Sequence, residues 1–287
     1  MPARRNPDGD SPLWRRWLNR ASCAARRRLA PRGQPVAPPD QPYLVVPVLG
    51  QSNAFGMGLP RDPSGADQPH ERVHQWAMCG PSKDTAVLAV DPLLHEIPAR
   101  GVGFGMTFAK ALADESGRSV LLIPAARGDT SFAPKNGYTW DPADTHTRVN
   151  LYRNAVRAID KALAHHSGSE VVAVLWHQGE TDVPLTSGSD YQIKLDGLIG
   201  DLRSRYGANV PFVLGQMVPE EMERSTKDYS AINAVHEATP ARVPRTAFVE
   251  GPRAAYNSET DRHYNAEGQR ALGRAMWSAY RAMVSTR

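Results

Sequence analysis

Short apolar segments alternate along most of this chain with longer amphipathic segments, and this alternation limits the possible fold more than any other feature. Strands separated by helices of about ten residues or more form βαβ units with parallel strands. The sequence therefore predicts a single three-layer α/β/α domain around a central parallel sheet, with long irregular surface loops over 57–100. The predicted strands are 43–49, 119–124, 171–176, 210–214 and 245–249, and the predicted helices are 103–115, 147–166, 189–206, 226–238 and 266–284.

The charge of the chain is unevenly distributed, and this divides the sequence into two parts. The formal net charge is +4, yet residues 1–40 contain nine arginines and only three aspartates. Residues 41–287 therefore have a net charge of −2, and they lack a basic stripe of the kind that binds a nucleic acid backbone. We predict an arginine- and proline-rich extension over 1–40, ending in a linker at 32–42, and one globular domain over 41–287.

A basic amphipathic helix is predicted inside this extension. Ser11 is a suitable N-cap, and Trp14 and Trp17 then share one helical face. Such a helix can lie on an anionic membrane surface or bind a partner protein, and it can equally pack on its own domain. The arginines at 26–28 interrupt the region where a secretory signal has its apolar core, and no apolar run is long enough to span a membrane. We therefore expect a cytoplasmic protein.

Polar residues follow three of the predicted strands and precede the last helix. The carboxyl ends of parallel strands lie at one edge of a sheet, where ligands bind in open α/β folds. We therefore expect the polar loops to meet at a single site. They are Gly50-Gln51-Ser52-Asn53, Arg127-Gly128-Asp129-Thr130-Ser131, His177-Gln178-Gly179-Glu180-Thr181-Asp182 and Asp261-Arg262-His263-Tyr264-Asn265.

Together these four loops can supply the parts of a serine esterase. Ester hydrolysis by serine needs a nucleophile, a base, a group that orients the base, and donors for the developing oxyanion. Ser52 is the candidate nucleophile, although a serine after a strand can also simply cap a turn. His263 is the candidate base, and Asp261 can orient it. The main-chain N–H of Gly128 and the side-chain amide of Gln178 are the candidate oxyanion donors.

The third loop allows other interpretations. His177 is expected to be a core residue or to support the site rather than to react. Glu180 and Asp182 could bind a metal ion or could orient the neighbouring loops, and we favour the second role. The sequence thus predicts no metal site.

These motifs give the chain a clear family resemblance. It resembles the SGNH-type (GDSL-related) hydrolases, within the branch of sialate O-acetylesterases and acetyl xylan esterase-like proteins, over most of residues 43–275. The resemblance implies a flavodoxin-like α/β/α fold and hydrolysis of acetyl esters on carbohydrates without a cofactor. It also implies that Ser52 is the nucleophile, that His263 is the base, and that Gly128 and Gln178 bind the oxyanion.

Two positions depart from the family pattern. The family usually has an aspartate three residues before the histidine, whereas this chain has Thr260 there, with Glu259 before it and Asp261 after it. Either carboxylate could orient His263, although a shift of one residue moves a side chain by several ångströms. Asp129 stands where the family commonly has a second glycine, and it adds a carboxylate near the predicted oxyanion site.

The sequence therefore predicts a serine esterase that removes acetyl or other short acyl groups from a hydroxylated substrate such as a sugar, through an acyl-enzyme. Two alternatives stay open. One is a lipase or thioesterase that acts on longer acyl chains by the same chemistry. The other is a non-catalytic carbohydrate-binding or structural protein that has kept the fold.

Overall fold

A computed structural model describes residues 22–285 of the chain, which form ten strands and eight helical segments. The strands are β1 (Leu44–Gly50), β2 (Val73–Trp76), β3 (Ala86–Leu88), β4 (Val120–Pro124), β5 (Tyr138–Thr139), β6 (Val149–Asn150), β7 (Glu170–Val171), β8 (Val174–His177), β9 (Phe212–Gly215) and β10 (Thr246–Val249). The helices are α1 (22–28), α2 (Ser52–Phe55), α3 (Phe104–Ser116), α4 (Leu151–His165), α5 (Gly188–Tyr206), α6 (Pro219–Arg224), α7 (Ser230–Arg242) and α8 (Ala266–Ser285).

The main sheet has β1 at its centre. Its strands follow the order β10-β9-β8-β1-β4-β2-β3, and the short β7 also pairs with β1. Every pairing is parallel except that of β2 with β3. Val46 lies opposite Leu122 of β4, and Gly50 lies opposite His177 of β8. The predicted parallel sheet and its five main strands are therefore confirmed.

Helices cover both faces of the sheet, and the alternation of side chains along β1 shows why. Val45 and Leu49 belong to the core formed with α4, α5 and α7. Val46 and Val48 belong to the core on the other face, formed with α3 and α8. All seven residues of β1 are buried. Because both faces are covered, the strand is a continuous apolar run rather than an alternating one, and the architecture is the predicted α/β/α sandwich.

The prediction of irregular loops over 57–100 is wrong in part, because β2 and β3 extend the main sheet there. The sequence of β2 contains His74 and Gln75 and is not an apolar run, yet both side chains are buried. The Nδ1 atom of His74 lies 2.7 Å from the hydroxyl of Tyr43, and Oε1 of Gln75 accepts a hydrogen bond from the N–H of Leu94 at 2.7 Å. These two polar side chains can be buried because each has a hydrogen-bond partner, so β2 forms a strand without an apolar sequence pattern.

The helix ends follow local chemistry. The side chain of Asn150 accepts a hydrogen bond from the N–H of Arg153 at the start of α4, and Ser187 accepts one from the N–H of Asp190 at the start of α5. Helix α3 ends at Gly117, which has a left-handed conformation. The predicted helices are therefore confirmed with shifts of a few residues, whereas α2 and the short α6 were not predicted.

The extension lies against the domain from α1 onward. The N–H of Gly33 donates to Oγ of Ser82 at 3.0 Å, and the carbonyl of Gln34 accepts from the N–H of Leu88 at 2.9 Å. Pro35 pairs with Val87 of β3, so the segment covers the edge strand of the sheet. The predicted linker over 32–42 therefore contacts the domain at 33–36.

The residues of the amphipathic helix predicted from Ser11 lie outside the described residues, which begin at 22. Its predicted contact with a membrane surface or a partner protein therefore stays a prediction. Across residues 22–285, each helix is too short or too polar to cross a bilayer.

Candidate active site

Ser52 lies where the central strand β1 turns into the short helix α2. Gly50 has a φ of +122°, and a Cβ atom there would lie 2.0 Å from the carbonyl oxygen of His177, so that only glycine fits. The N–H of Gln51 donates to the same carbonyl at 2.8 Å. Ser52 is 8% exposed and lines a cavity of about 440 Å³. The main chain of two neighbouring strands therefore fixes the position of this hydroxyl group.

His263 lines the same cavity and is joined to Asp261. Its Nδ1 atom lies 2.6 Å from Oδ1 of Asp261, while Oδ2 of Asp261 accepts a hydrogen bond from Nδ2 of Asn257 at 3.0 Å. No hydrogen bond joins Ser52 to His263 within the described residues; in enzymes without substrate such bonds are often long and shorten in the bound complex. The geometry thus leaves Nε2 of His263 as the atom available to accept a proton.

The environment of Asp261 favours its ionised form. Burial opposes ionisation, but the hydrogen bond from Asn257 and the interaction with His263 outweigh it, so the pKa of Asp261 lies below its ordinary value. Glu259 is exposed, and only its main-chain carbonyl accepts a hydrogen bond within the described residues. The carboxylate that contacts His263 is therefore that of Asp261, in spite of the one-residue shift from the family pattern.

The loop that carries Asp261 is held by Arg224 of α6. The guanidinium group of Arg224 donates to the carbonyl oxygens of Glu259 and Asp261. It also donates to Oε2 of Glu221 at 3.0 Å, which keeps it in place. These main-chain contacts shape the segment between Glu259 and His263, and they allow an aspartate two residues before the histidine to reach it.

Asn53 joins the nucleophile loop to the loop of the base. Its Nδ2 atom donates to Oε1 of Glu180 at 3.2 Å and to the carbonyl of Arg262 at 3.3 Å. Its Oδ1 atom accepts from the N–H of Tyr264 at 3.1 Å and from Nε2 of Gln269 at 3.2 Å. Asn53 is fully buried, so these bonds form away from water and hold three of the four loops in register.

Gly128 lies beside the nucleophile. A Cβ atom at this position would lie 3.8 Å from Cβ of Ser52, which is ordinary van der Waals contact. The N–H of Arg127 donates to the carbonyl of Gly50 at 3.0 Å and fixes the loop on β1. The N–H of Gly128 has no protein acceptor within residues 22–285. A glycine here therefore leaves both space and a free donor next to Ser52.

The departure at Asp129 has a physical explanation. Asp129 has a φ of +57°, in the left-handed region that glycine enters without strain and aspartate enters at a modest cost. Its Oδ1 atom lies 2.5 Å from Nζ of Lys135, and its side chain is 65% exposed. The extra carboxylate is thus paired with a lysine on the cavity rim.

The side chain of Gln178 is fully buried beneath the cavity. Its Nε2 atom lies within hydrogen-bond distance of Oδ2 of Asp182 at 2.7 Å, and of Oε1 of Gln51 and the carbonyl of Thr130, each at 3.2 Å. Its Oε1 atom accepts from the hydroxyl of Tyr191 at 2.9 Å. The Gln178 amide has two hydrogens, and three protein acceptors already surround them. No amide hydrogen is therefore left to bind an oxyanion. The predicted donor role of Gln178 does not fit this arrangement, which gives it a supporting role instead.

The other polar residues of the third loop also support the site. His177 is fully buried, its Nε2 atom lies 2.7 Å from the carbonyl of Gln216, and burial lowers its pKa. Asp182 accepts hydrogen bonds from the N–H groups of Phe132 and Ala133 at 2.8 and 3.1 Å. Burial raises the pKa of Asp182 to about 6, and these bonds limit the rise. Residues 22–285 contain no cluster of three or more His, Cys, Asp or Glu side chains arranged to hold a metal ion.

Four arginines line the same cavity as Ser52 and His263. Arg127 is 8% exposed, and its guanidinium group lies 4.2 Å from the ring centre of Tyr138, to whose hydroxyl it donates at 3.0 Å. The others are Arg26 of α1, Arg100 and Arg262. The cavity is therefore strongly positive beside the candidate nucleophile.

Several residues of the site were missed at the level of sequence. Asn53 stands next to Ser52 in the first polar loop, where an amide side chain can join neighbouring loops. Arg224 and Asn257 lie in a six-residue helix and an irregular loop, where no periodic pattern marks them. Arg26 lies in the extension, which was treated as separate from the site.

Comparison with known proteins relates this chain to carbohydrate esterases. A family model described as carbohydrate esterase, sialic acid-specific acetylesterase, matches residues 43–282. A probable carbohydrate esterase of Arabidopsis thaliana is 29% identical over 203 residues, which is 63% of this chain and 69% of that protein.

Solved structures share the fold. NanS aligns with a TM-score of 0.71 at 19% identity, covering 88% of this chain and 100% of that one. The Arabidopsis thaliana protein aligns with a TM-score of 0.66 at 21% identity, covering 84% and 99%. A carbohydrate acetylesterase from Xanthomonas citri aligns with a TM-score of 0.59 at 16% identity, covering 85% and 57%. At these identities the alignments establish the α/β/α fold.

Proposed function

The chain belongs to the sialic acid-specific acetylesterase family of carbohydrate esterases and is a carboxylic ester hydrolase, and we propose that it removes O-acetyl groups from a sugar with Ser52 as nucleophile. Family membership supports hydrolysis of acetyl esters on carbohydrates. The observation that carries the residue assignment is the shared cavity, which brings Ser52, Gly128 and His263 together while Asp261 holds the imidazole.

The first half of the reaction forms an acyl-enzyme. Oγ of Ser52 attacks the carbonyl carbon of the acetyl group, and Nε2 of His263 accepts the hydroxyl proton. The hydrogen bond from Nδ1–H of His263 to Asp261 selects the tautomer in which Nε2 is free, and the carboxylate stabilises the imidazolium that forms. Collapse of the tetrahedral intermediate breaks the bond to the sugar oxygen, which leaves with the proton from His263.

The second half releases acetate. Water donates a proton to Nε2 of His263 and attacks the acetyl carbon on Ser52. Collapse of the second tetrahedral intermediate breaks the bond to Oγ of Ser52, which takes the proton back from His263 as acetate leaves. In both halves the oxyanion accepts hydrogen bonds from the N–H of Gly128 and the N–H of Ser52. The free N–H of Gly128 beside Ser52 supports this assignment.

Hydrolysis of p-nitrophenyl acetate, compared between the wild-type enzyme and Ser52→Ala, tests the proposal directly. We expect a loss on the order of 10⁶ in kcat, because removal of the nucleophile disables the whole catalytic unit. A fluorophosphonate probe should label the wild-type protein at Ser52 and leave Ser52→Ala unlabelled. A loss below about tenfold, or labelling at another serine, would overturn the assignment of Ser52.

The same assay with p-nitrophenyl esters of increasing chain length separates the proposed acetylesterase from a lipase or thioesterase. We expect kcat/KM to be highest for acetate. A maximum at eight or more carbons would contradict the proposed substrate class while leaving the serine mechanism intact. An inert wild-type protein that the probe does not label would instead favour a non-catalytic binding protein.

A further inference from the structure

Helix α1 of the N-terminal extension forms part of the wall of the active-site cavity. Cys23 and Arg26 line that cavity together with Ser52 and His263. The helix precedes residue 43, where the match to the family model begins. It therefore lies outside the residues that the family model matches.

Specific contacts fix α1 in this position. The guanidinium group of Arg26 donates to the carbonyl of Pro98. Nε of Arg27 donates to the carbonyl of Glu96 at 2.8 Å, and its Nη2 atom lies 3.4 Å from Oε2 of the same residue. Together with the pairing of 33–36 along β3, these contacts hold the segment at both ends. Helix α1 is therefore a fixed part of the cavity wall.

Positively charged side chains around the cavity outnumber the carboxylates that are free to pair with them. Arg26 has no carboxylate partner within the described residues. The Nη1 atom of Arg127 has no hydrogen-bond acceptor and lies 3.9 Å from Oε2 of Glu96. The carboxylates nearby are already engaged: Glu96 is shared with Arg27, and Asp129 is paired with Lys135. A partly buried guanidinium without an anion is electrostatically incomplete.

The arginines also act on one another. Burial and then the positive charges of Arg100 and Arg127 hold the pKa of Arg26 below its usual value. A bound anion would relieve this repulsion, and a guanidinium group binds a carboxylate through two parallel hydrogen bonds. The cavity wall is therefore suited to the carboxylate of a sugar acid, in the same cavity as the hydroxyl that attacks its acetyl group.

We propose that α1 completes the substrate site and that Arg26 binds the carboxylate of an O-acetylated sugar acid, so that the extension sets the preference for acidic over neutral acetylated sugars. The inference rests on the proposed esterase function of Ser52. It adds a specificity-determining residue from a segment that the matched domain does not contain.

The test compares two variants on three substrates. Arg26→Met removes the charge that faces the cavity, and Arg28→Met makes the same change at an exposed position of the same helix that does not line the cavity. The substrates are O-acetylated N-acetylneuraminic acid, the carboxamide of the same acetylated sugar, and p-nitrophenyl acetate. Release of acetate or p-nitrophenol gives kcat and KM.

For Arg26→Met we expect kcat/KM on the acidic sugar to fall about tenfold to a hundredfold, mainly through KM, because one charged hydrogen-bonding contact is lost. We expect less than a twofold change on the carboxamide and on p-nitrophenyl acetate, and wild-type values throughout for Arg28→Met. Equal activity of the two variants on the acidic sugar would overturn the inference. An equal loss by Arg26→Met on all three substrates would also overturn it, because that result indicates a purely structural role.

A second measurement works on the wild-type fold. Cys23 and Cys79 are the two cysteines of the chain; Cys79 is buried, and burial raises its thiol pKa to about 11. A maleimide should therefore react at Cys23, lower the activity on the acidic sugar, and have no effect on Cys23→Ser. The acidic sugar should protect Cys23 from the reagent more than the carboxamide does. Equal protection by the two sugars would count against binding of the carboxylate at this wall.

The two proposals fail in different ways. If Ser52→Ala keeps its activity on p-nitrophenyl acetate, the proposed function is wrong, whatever Arg26 does. If Ser52→Ala is inactive but Arg26→Met hydrolyses the acidic sugar and its carboxamide in the wild-type ratio, only the inference about α1 is wrong.

Discussion

The nucleophile and the acid–base pair are held in place by different means. Ser52 follows a strand that is buried on both faces and paired on both edges, and the geometry of Gly50 against His177 fixes the turn. His263 and Asp261 lie on an irregular loop whose shape depends on side-chain hydrogen bonds from Asn257, Arg224 and Asn53. One half of the site is thus built by main chain and core, and the other half by individual polar side chains.

This difference determines how each half should respond to mutation. Where the main chain positions a group, a change at the group affects the chemistry, and a change at its glycine support affects the fold. Where side chains position a group, a single polar substitution can disturb the geometry of the site while the core stays intact. The predictions below compare matched positions in the two halves, in order of decreasing effect.

The largest difference is expected between the two carboxylates that flank Thr260. Asp261→Asn should lower kcat on p-nitrophenyl acetate by up to about 10⁴, because the amide no longer holds His263 in the required tautomer. Glu259→Gln should remain close to wild type, since the side chain of Glu259 is exposed and makes no contact with His263. Similar losses in both variants would assign the orienting role differently.

The pH dependence of this pair follows from the sign of the shift at Asp261. Its pKa is depressed in the folded protein, so its interaction with His263 is present above the ordinary carboxyl pKa and is lost as the pH falls through the lowered value. The carboxyl carbon of Asp261 should therefore keep the NMR chemical shift of an ionised carboxylate between about pH 5 and 8. A change to the chemical shift of a protonated carboxyl within this range would contradict the lowered pKa.

Two glycines next to Ser52 provide the second comparison. Gly128→Ala should lower kcat on the order of tenfold to a hundredfold, because its methyl group occupies the space beside the nucleophile and the oxyanion donor. Its stability should change by less than about 0.5 kcal/mol, since the added atom meets only ordinary contacts. Gly50→Ala should instead cost about 3 kcal/mol or more in unfolding free energy, because its Cβ would overlap the carbonyl of His177.

Kinetics together with urea denaturation check this pair. The assignment of Gly128 to catalysis and of Gly50 to the fold is contradicted if Gly128→Ala is destabilised as strongly as Gly50→Ala, or if Gly128→Ala keeps full activity.

The smallest catalytic effect is expected at Gln178. Gln178→Ala should lose about 2 kcal/mol of stability, because Asp182 and Tyr191 lose a buried hydrogen-bond partner. The kcat of the folded enzyme should fall by less than tenfold, about 1.4 kcal/mol in activation free energy. A loss of 10² to 10³ in kcat without a change in melting temperature would restore Gln178 as an oxyanion donor.

The division between main chain and side chains also explains what could be predicted from the sequence. The apolar run of β1 and the glycine after it placed Ser52 at the end of a buried strand, because strand burial and turn conformation leave local patterns. The sequence could not decide between Asp261 and Glu259, since the shape of their loop depends on contacts with Arg224, which lies 35 residues before Glu259. Gln178 is predicted from the sequence as an oxyanion donor, because a sequence position does not show which groups surround a buried amide.

Two further misses have related causes. β2 was predicted as loop because His74 and Gln75 are polar, and their partners, Tyr43 and Leu94, come from other segments. Arg26 was placed in a separate extension because composition changes sharply near residue 40. The docking of that segment depends on contacts with Glu96 and Val87, which composition does not reveal.

The central place of β1 in the sheet has a consequence for how the protein is made. It is the first strand of the sheet to leave the ribosome, yet its partners come much later: Leu44 pairs with Val120 of β4, and Leu49 pairs with Trp176 of β8. A growing chain therefore exposes the two leucines and three valines of β1 until more than half of the domain has been synthesised, a situation that favours aggregation and recruits chaperones. The yield of soluble protein should accordingly depend on the interval between synthesis of β1 and β8, even where the folded enzyme is fully stable.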